Sequence, residues 1–360
     1  MKIAIILGTR PEIIKFSPII KYLIKTKHKF FVIHTGQHHS KNMTNIFFEE
    51  LRIPQPNYNL KIGSGTHAEQ VGRAMIEIEK ILFMKKPEIV LVQGDTNSSL
   101  AGALTASKLN IPVGHVEAGL RSWDETMPEE KNRIVIDHIS KFLFTPTKVS
   151  YENLIKENID KGKIFVTGNT ISDVVRENIQ KAKSHKDILQ RLNLTSKKYI
   201  LVTLHRQENV DSKRNLANLC LALKMVNEKL GYTVLWPIHP RTAKKLMEYK
   251  INTSNGIIKI NPVGFFEFLF LEMNAALIIT DSGGVQEEAC ILNVPCITVR
   301  DNTERPETIT VGSNVLAGSN PRKKLLILAQ SALKSRKTWE NPFGEGASKN
   351  IVDIIDNKVN

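Results

Sequence analysis

Residues 277–288 have the sequence LIITDSGGVQEE, the strongest indication of the fold class in this chain. The first four residues form a short apolar run typical of a buried strand, and a helical pattern begins at Val285. The turn between them contains two adjacent glycines, Gly283 and Gly284. A buried strand, a glycine-rich turn and a helix form the repeating unit of a parallel sheet covered by helices.

Apolar runs alternate with helical patterns in two series along the 360-residue chain. This alternation predicts an α/β protein of two doubly wound, Rossmann-like parallel-sheet domains that face a cleft, with ligands at the carboxyl ends of the strands. The expected domains are residues 1–170, with a C-terminal helix at about 345–360 packing back on them, and residues 171–344. The predicted strands are 2–9, 29–36, 88–94, 113–118, 141–145 and 164–168, then 199–204, 233–237, 256–260, 277–280 and 295–299.

The turn at residues 281–288 has the features of a nucleotide site. Gly283 and Gly284 allow a ligand to approach the backbone closely, and the following helix presents free N–H groups to an anion. Glu288, about one turn into that helix, can accept both hydroxyls of a ribose. Arg305, after the next strand, adds positive charge against a diphosphate. The alternative is a glycine-rich turn before an ordinary core helix.

Two other predicted strands end in cationic residues. Pro11 suits the first turn of a helix, so Arg10 lies at a strand-to-helix turn and Lys15 about one turn further on. Paired cations there suit phosphate, and the alternative is a plain turn with two surface cations. His205 follows the first strand of the second series, where a histidine binds phosphate, transfers a proton or makes only a strand-end hydrogen bond.

Three carboxylates of the first series point to acid–base chemistry. Asp95 and Glu117 follow apolar runs, and Glu129 opens a helix after a loop. Carboxylates at adjacent strand ends line one edge of a cleft and can serve as acid and base. Helix capping is the alternative for Asp95 and Glu129.

The composition narrows the class of protein. Hydrophobic residues make up 41% and charged residues 24%, as in a globular protein. No apolar stretch is long enough for a membrane helix, and the first one ends too early for a signal peptide, so we expect a cytoplasmic protein. Three cysteines without metal spacing indicate reduced core residues. The net charge of +14 suits an anionic small substrate, and the basic clusters lack the aromatics of a nucleic-acid site.

Three features of the sequence argue against cofactors. Residues 63–68 fit the loose dinucleotide fingerprint but follow a poor strand. Residues 34–39 contain three histidines without a cysteine or carboxylate at metal spacing. No Walker A sequence occurs. We therefore expect no nicotinamide, no metal and no ATP.

Taken together, six motifs in one order make the sequence resemble the non-hydrolysing UDP-N-acetylglucosamine 2-epimerases, from the first strand to the C-terminal helix. The resemblance implies the two-domain glycosyltransferase-B fold, with the final helix crossing back onto the first domain. It also implies interconversion of UDP-N-acetylglucosamine and UDP-N-acetylmannosamine by a homodimer that supplies surface polysaccharide biosynthesis. The motifs are GTRPE (8–12), QGDT (93–96), HVEAGLR (115–121), PEE (128–130), HR (205–206) and TDSGGVQEE (280–288).

The resemblance also assigns roles to individual residues. It makes Asp95, Glu117 and Glu129 the acid–base candidates, and we add His205 to the catalytic set. It places Phe268 against the uracil. Asp95 and Glu117 also count as substrate-binding residues. The residues that it implies hold the nucleotide and phosphates are Arg10, Lys15, His205, Ser282, Gly283, Gly284, Glu288 and Arg305.

A second, activating site for the substrate is known in bacterial relatives of this family. The sequence matches that site through Gln37, His38, Gln70 and Arg206. It departs at Ser40, where the relatives have a longer amide, and at Glu69, where they have an arginine. An anion there repels a diphosphate, so we expect weaker activation by UDP-N-acetylglucosamine.

The chemistry explains why these parts occur together. The proton on carbon 2 of the sugar is not acidic, because no carbonyl adjoins it. Without nicotinamide, the remaining route eliminates UDP to form a glycal and returns it after protonation on the opposite face. A glycosyltransferase of the same fold that uses UDP-sugars, a hydrolysing epimerase that releases UDP and N-acetylmannosamine, and a non-catalytic sugar-nucleotide sensor are the alternatives.

Overall fold

The computed structural model describes residues 1–36, 47–253, 256–335 and 338–359. The chain divides into two compact units. Unit 1 contains Met1–Val174 and Phe343–Asn360, and unit 2 contains Val175–Pro342. Each unit is built on one parallel sheet with helices, so the predicted α/β fold class is confirmed.

Unit 1 contains seven parallel strands, which are β1 (Lys2–Leu7), β2 (Lys29–His34), β3 (Tyr58–Asn59), β4 (Ile89–Gln93), β5 (Val113–Val116), β6 (Phe142–Thr145) and β7 (Ile164–Val166). Their order in the sheet is β3-β2-β1-β4-β5-β6-β7. The chain first adds strands on one side of β1 and then returns to the other side, which makes the sheet doubly wound. The strands are almost continuously apolar because helices cover both faces.

The helices of unit 1 are α1 (Arg10–Ile24), α2 (His67–Lys85), α3 (Asn97–Lys108), α4 (Pro128–Ile139), α5 (Lys148–Lys156), α6 (Thr170–Lys183) and α15 (Ala347–Val359). The helix α6 continues from unit 1 into unit 2. Threonine is the N-cap residue of α1, α2, α3 and α5. In α2, α3 and α5 its hydroxyl accepts an N–H of the first helical turn, whereas in α1 the hydroxyl of Thr9 donates to Glu12.

The C-terminal helix α15 belongs to unit 1, although unit 2 precedes it in the chain. It packs on α1 and buries Ile351, Val352 and Ile355 completely. His28 Nε2 lies 2.6 Å from Asp356 Oδ1 at the edge of this contact. Burying three large aliphatic side chains contributes several kcal/mol, roughly 1.5–3 each, so α15 is part of the unit 1 core.

Unit 2 contains six parallel strands, which are β8 (Tyr199–Thr203), β9 (Thr233–Pro237), β10 (Ile257–Ile260), β11 (Leu277–Thr280), β12 (Cys296–Thr298) and β13 (Asn314–Leu316). Their order is β10-β9-β8-β11-β12-β13, again doubly wound. The helices are α7 (Asp187–Arg191), α8 (Gln207–Val210), α9 (Lys213–Leu230), α10 (Pro240–Glu248), α11 (Phe265–Asn274), α12 (Gly283–Ile291), α13 (Pro306–Thr310) and α14 (Lys324–Lys334).

The strands differ from the sequence prediction in two ways. Several end one or two residues earlier than predicted, because the predicted ends include glycine and polar residues, such as Gly8, Thr9 and Gly94, that belong to the turn that follows. The structure also contains β3 and β13, which the sequence analysis did not predict. Both are only two or three residues long and partly exposed, so they have no continuous apolar signal.

Candidate active site

The strand order directs the predicted residues to one edge of each sheet. The strand β1 lies between β2 and β4, and β8 lies between β9 and β11. Ligands bind at such a switch point because the loops on its two sides leave in opposite directions. Arg10 and Asp95 follow β1 and β4 in unit 1, and His205 and Ser282 follow β8 and β11 in unit 2.

Glu117 occupies a strained turn after β5. Its φ is +70°, and the N–H groups of Glu117 and Ala118 both donate to the carbonyl of Phe144 at 3.1 Å, a bulge that redirects the side chain. The residue is 6% exposed. Its carboxylate accepts hydrogen bonds from Lys15 Nζ at 2.7 and 2.8 Å and from Gln93 Nε2 at 2.6 Å. These donors favour the ionised carboxylate, and such backbone strain concentrates at functional sites.

Asp95 is held by residues of α4. Arg133 donates from Nε and Nη2 to Asp95 Oδ2 at 2.9 and 2.6 Å, and Asn132 Nδ2 donates to the main-chain oxygen of Asp95 at 2.8 Å. Arg133 also pairs with Glu130, whose carboxylate accepts N–H groups from the loop before α4. The side chain of Asp95 is 27% exposed. Asp95 is therefore held by Arg133 and still contacts solvent.

Glu129 and Arg10 are less enclosed. Glu129 is exposed in the first turn of α4, and the N-cap residue of that helix is Met127. Thr96 is the N-cap residue of α3, so the capping alternative fails for both Asp95 and Glu129. Arg10 is half-buried, with its guanidinium carbon 4.5 Å from the centre of the Phe47 ring. These groups remain accessible to a ligand.

Glu12 closes the turn after β1 rather than binding a ligand. Its Oε2 accepts the N–H groups of Gly8 and Thr9 at 2.9 and 2.7 Å, and its Oε1 accepts the hydroxyls of Thr96 and Ser99 at 2.7 and 2.8 Å. Burial raises the pKa of the Glu12 carboxyl, although these donors lower it. Glu12 therefore links the turns after β1 and β4.

Asp281 organises the corresponding edge of unit 2. Its buried carboxylate accepts the main-chain N–H groups of His205 and Arg206, each at 3.0 Å, and Nδ2 of Asn209 at 3.0 Å. His205 Nδ1 lies 3.1 Å from Asp281 Oδ1. Burial alone raises the pKa of the Asp281 carboxyl, but the hydrogen bonds and charge of its neighbours outweigh this effect and hold the pKa below its ordinary value. Asp281 thus orients the imidazole of His205, which is 43% exposed.

The turn from Ser282 to Gly284 leaves open space at the start of α12. A methyl group added to Gly284 would meet no heavy atom within 4 Å, whereas one on Gly283 would lie 2.7 Å from Glu304 Oε1. Ser282 is the N-cap residue of α12, and its side chain makes no capping hydrogen bond. The free N–H groups of a helix N-terminus attract an anion, and the space beside Gly284 admits one.

Three arginines surround one buried carboxylate near this turn. Glu304 lies 2.8 Å from Arg300, 3.4 Å from Arg305 and 3.7 Å from Arg206. Arg305 also donates from Nε to Glu287 Oε1 at 2.6 Å. Burial, together with the charges of Arg206 and Arg305, lowers the pKa of Arg300. Arg206 also lies 3.8 Å from Glu208, so three arginines and three carboxylates form one network at this edge, and its guanidinium groups can bind a phosphate.

Two further predicted residues of unit 2 lie on helices. Phe268 is half-buried in the first turn of α11. Glu288 lies in α12, five residues after Gly283 at its start, and is 9% exposed. The structure thus places both side chains on the helices that follow β10 and β11.

Only part of the predicted second site lies in the described residues. Gln37 and His38, like Ser40, lie outside them. Gln70 Oε1 accepts a hydrogen bond from Asn97 Nδ2 at 2.8 Å. Glu69 accepts the N–H of Thr66 at 2.9 Å and completes a capping box at the start of α2. Glu69 therefore stabilises α2 locally, besides carrying the charge that distinguishes this sequence.

Other sequence features have ordinary structural roles. Residues 63–66 form the turn that precedes α2 and caps it with Thr66, and residues 67 and 68 belong to the helix. Among the described residues, no three His, Cys, Asp or Glu side chains form a group suited to a metal ion. No helix in the described ranges is both long and apolar enough to cross a membrane. The three cysteines are buried and unpaired.

The sequence analysis missed several residues that hold the candidate groups. Gln93 and Arg133 contact the carboxylates of unit 1, and Asp281 and Glu304 organise the cationic edge of unit 2. Arg133 lies one helical turn after Glu129, a spacing that could have indicated it. Glu304 pairs with Arg300 four residues before it, another local spacing, whereas the contacts of Gln93 and Asp281 join distant parts of the chain.

Two doubly wound units, one with paired carboxylates and one with a phosphate-type turn, define a nucleotide-sugar enzyme of the glycosyltransferase-B type. Comparison with known proteins specifies the class further. The model of the UDP-N-acetylglucosamine 2-epimerase family matches residues 23–356. The chain belongs to this family, and the resemblance identified from the sequence is confirmed.

Two relatives and one crystal structure are similar over nearly the whole chain. UDP-N-acetylglucosamine 2-epimerase of Methanocaldococcus jannaschii is 54% identical, with 99% of each chain covered. That of Methanococcus maripaludis is 55% identical, with 98% of each covered. The crystal structure of the M. jannaschii enzyme in complex with UDP-GlcNAc and UDP has a TM-score of 0.94 at 54% identity, covering 99% of this chain and 100% of that one. These matches favour an epimerase over the glycosyltransferase alternative.

Proposed function

We propose that this protein interconverts UDP-N-acetylglucosamine and UDP-N-acetylmannosamine by eliminating UDP and adding it back through a glycal intermediate. The proposal rests chiefly on Asp95 and Glu117, two cation-paired carboxylates after the neighbouring strands β4 and β5. Membership of the epimerase family supports the choice of substrate.

The reaction has two balanced halves. A base removes the proton from carbon 2, and the electrons of that bond form the double bond between carbons 1 and 2. The bond between carbon 1 and the phosphate oxygen breaks, and its electrons leave with UDP. In the second half, an acid protonates carbon 2 on the opposite face while the UDP oxygen attacks carbon 1. No electrons are gained or lost overall, so the chemistry requires no redox cofactor.

The acid and base belong to unit 1 in this proposal. Arg133 positions Asp95, and Lys15 positions Glu117, through hydrogen bonds of 2.6 and 2.7 Å. Glu129 is the third candidate, on the exposed first turn of α4. Because the reaction is reversible, the group that acts as acid in one direction acts as base in the other.

Unit 2 binds the nucleotide in this proposal. The start of α12 and Arg305 stabilise the negative charge that develops on the departing diphosphate. His205, oriented through Nδ1 by Asp281, binds phosphate or transfers a proton with Nε2. Glu288 accepts the ribose hydroxyls, and Phe268 lies against the uracil. The complete set proposed to bind substrate is Arg10, Lys15, Asp95, Glu117, His205, Phe268, Ser282, Gly283, Gly284, Glu288 and Arg305.

We also propose the setting in which the enzyme acts. It is a cytoplasmic homodimer, as the family resemblance implies, and its product supplies surface polysaccharide biosynthesis. The positive net charge of +14 serves an anionic substrate rather than nucleic acid. A gel shift at physiological salt should accordingly show only weak, salt-sensitive DNA binding, and tight sequence-dependent binding would contradict this assignment.

Incubation of the pure protein with UDP-N-acetylglucosamine in deuterated water tests the function. NMR should show UDP-N-acetylmannosamine with deuterium on carbon 2, formed without added nicotinamide and in the presence of EDTA. Accumulation of UDP with free N-acetylmannosamine would identify a hydrolysing epimerase. Turnover only after addition of an acceptor would identify a glycosyltransferase, and binding without turnover would identify a sensor.

A further inference from the structure

A buried histidine lies behind the turns of Asp95 and Glu117, and the proposed chemistry does not use it. His115 is part of β5 and is completely buried. Its Nδ1 lies 2.6 Å from Asp137 Oδ1 on α4, and its Nε2 lies 2.8 Å from the main-chain oxygen of Gly94. Both ring nitrogens therefore contact oxygen atoms.

Each of these oxygens acts as an acceptor. A carbonyl oxygen has no proton to donate. Asp137 also accepts from Arg121 Nη1 at 2.7 Å and from the N–H of Gly119 at 3.2 Å. Burial raises the pKa of the Asp137 carboxyl, but His115 and Arg121 outweigh that effect and hold it below its ordinary value. Both ring nitrogens of His115 therefore lie where an N–H can donate to an acceptor.

A cation at this position acts on the peptide group before Asp95. The Gly94 carbonyl and the Asp95 N–H belong to the same peptide group, and a hydrogen bond to the carbonyl strengthens the N–H as a donor. In a trans peptide the two bonds point in opposite directions, so this N–H points away from the buried ring. Within the described part of the chain, the Asp95 N–H has no hydrogen-bond partner.

We propose that His115 is an imidazolium that polarises the Gly94–Asp95 peptide, whose N–H donates to an acceptor oxygen of the bound hexosamine. This proposal rests on the function proposed above. His115 is a positioning residue, because it acts through the main chain of Asp95. Asp137 extends the same network to the turn of Glu117 through the N–H of Gly119.

The protonation state is tested on the wild-type protein without ligand. Histidine labelled with ¹⁵N should give, for His115, two protonated ring nitrogens at pH 7, each with its own N–H signal. A single protonated nitrogen at pH 7 would overturn the proposal. This measurement needs neither a variant nor catalysis, so its result is independent of whether the enzyme epimerises the proposed substrate.

Two substitutions separate the two contacts of the ring. In His115→Asn the side-chain amide takes the place of Nδ1 and keeps only the contact with Asp137. In His115→Gln the longer side chain brings its amide to the position of Nε2, where it donates to the Gly94 carbonyl as a neutral group. Losing a hydrogen bond that involves a charge predicts a kcat/KM about 10- to 100-fold lower for His115→Asn, with partial recovery in His115→Gln. The dissociation constant of UDP should stay unchanged, because Asp137 and Gly94, which His115 contacts, are not among the residues proposed to hold the nucleotide.

His138→Gln is the matched control, because His138 lies on α4 with a half-exposed side chain. It should keep wild-type kinetics. Equal losses in both His115 variants, or losses that follow the change in Tm, would overturn the proposal. If neither variant folds, the ¹⁵N spectrum decides alone. A wild-type protein that lacks epimerase activity would contradict the proposed function, whereas the spectrum would still test the state of His115.

Discussion

Replacement of Gly284 with alanine should separate the stability of unit 2 from its ability to bind nucleotide. The added methyl group meets no protein atom within 4 Å, and Gly284 lies in the first turn of α12 without a positive φ. Alanine in a helix is more stable than glycine by roughly 0.5–1 kcal/mol. We therefore expect Tm to rise by about 1–4 °C, since 1 kcal/mol shifts a domain of this size by about 2–4 °C.

Binding should change in the opposite direction. If a phosphate contacts the backbone beside Gly284, the methyl group occupies part of its space. Such overpacking costs about 1–3 kcal/mol, which corresponds to a UDP dissociation constant about 5- to 150-fold higher. Isothermal titration calorimetry with UDP and thermal unfolding followed by circular dichroism measure the two effects on one protein sample.

Two other glycines are the comparisons. Gly72 lies within α2, where an added methyl group also meets no atom within 4 Å, so Gly72→Ala should raise stability without changing UDP binding. Gly283→Ala should disturb Glu304 and Arg305, because its methyl group would lie 2.7 Å from Glu304 Oε1. A Gly284→Ala protein that is more stable yet binds UDP like the wild type would show that phosphate does not bind at this turn.

Three further predictions concern turnover, pH and activation. Removing single acid–base groups should lower kcat by about 10²–10⁴-fold with UDP binding retained, and a variant near the wild-type rate would remove its residue from the catalytic set. Burial lowers the pKa of His34 to about 4 from an ordinary 6.5. As the pH falls, the unfolded chain therefore binds a proton at His34 before the folded protein does. The free energy of unfolding should decrease between pH 6.5 and 4 by at most about 3 kcal/mol. Urea titrations should show a weaker pH dependence for His34→Gln. Glu69→Arg should strengthen activation by UDP-N-acetylglucosamine and lower the stability of the protein by about 1 kcal/mol, because the capping box is lost, whereas Glu69→Gln keeps the box. If the wild type starts the reverse reaction only after a trace of UDP-N-acetylglucosamine is added, the expected weak activation is wrong. The three variants for turnover are Asp95→Asn, Glu117→Gln and Glu129→Gln.

The sequence predicted the features that depend on neighbouring residues. Continuous apolar runs located eleven strands, and the parallel arrangement directed Asp95 and Glu117 to one sheet edge. The adjacent glycines of α12 were identifiable from the sequence, although the helix begins at Gly283 rather than at Val285 as predicted. Each of these signals is contained in a dozen residues or fewer.

The remaining features depend on residues far apart in the chain. Lys15 and Glu117 are 102 positions apart, and Arg133 and Asp95 are 38 positions apart, so no local pattern indicates these pairs. The bulge at Glu117 arises because two N–H groups share one carbonyl on β6, a contact set by the sheet. Short strands such as β3 are stabilised by their neighbours rather than by their own sequence.

The position of α15 has a consequence for biosynthesis. A ribosome makes all of unit 2 before it makes the helix that covers α1, so unit 1 cannot complete its core during its own synthesis. Until then, the apolar surface that Ile351, Val352 and Ile355 later cover is available to chaperones and proteases. Chains that terminate before residue 347 should therefore contain a finished unit 2 joined to an incomplete unit 1, a species that quality control can recognise from this surface.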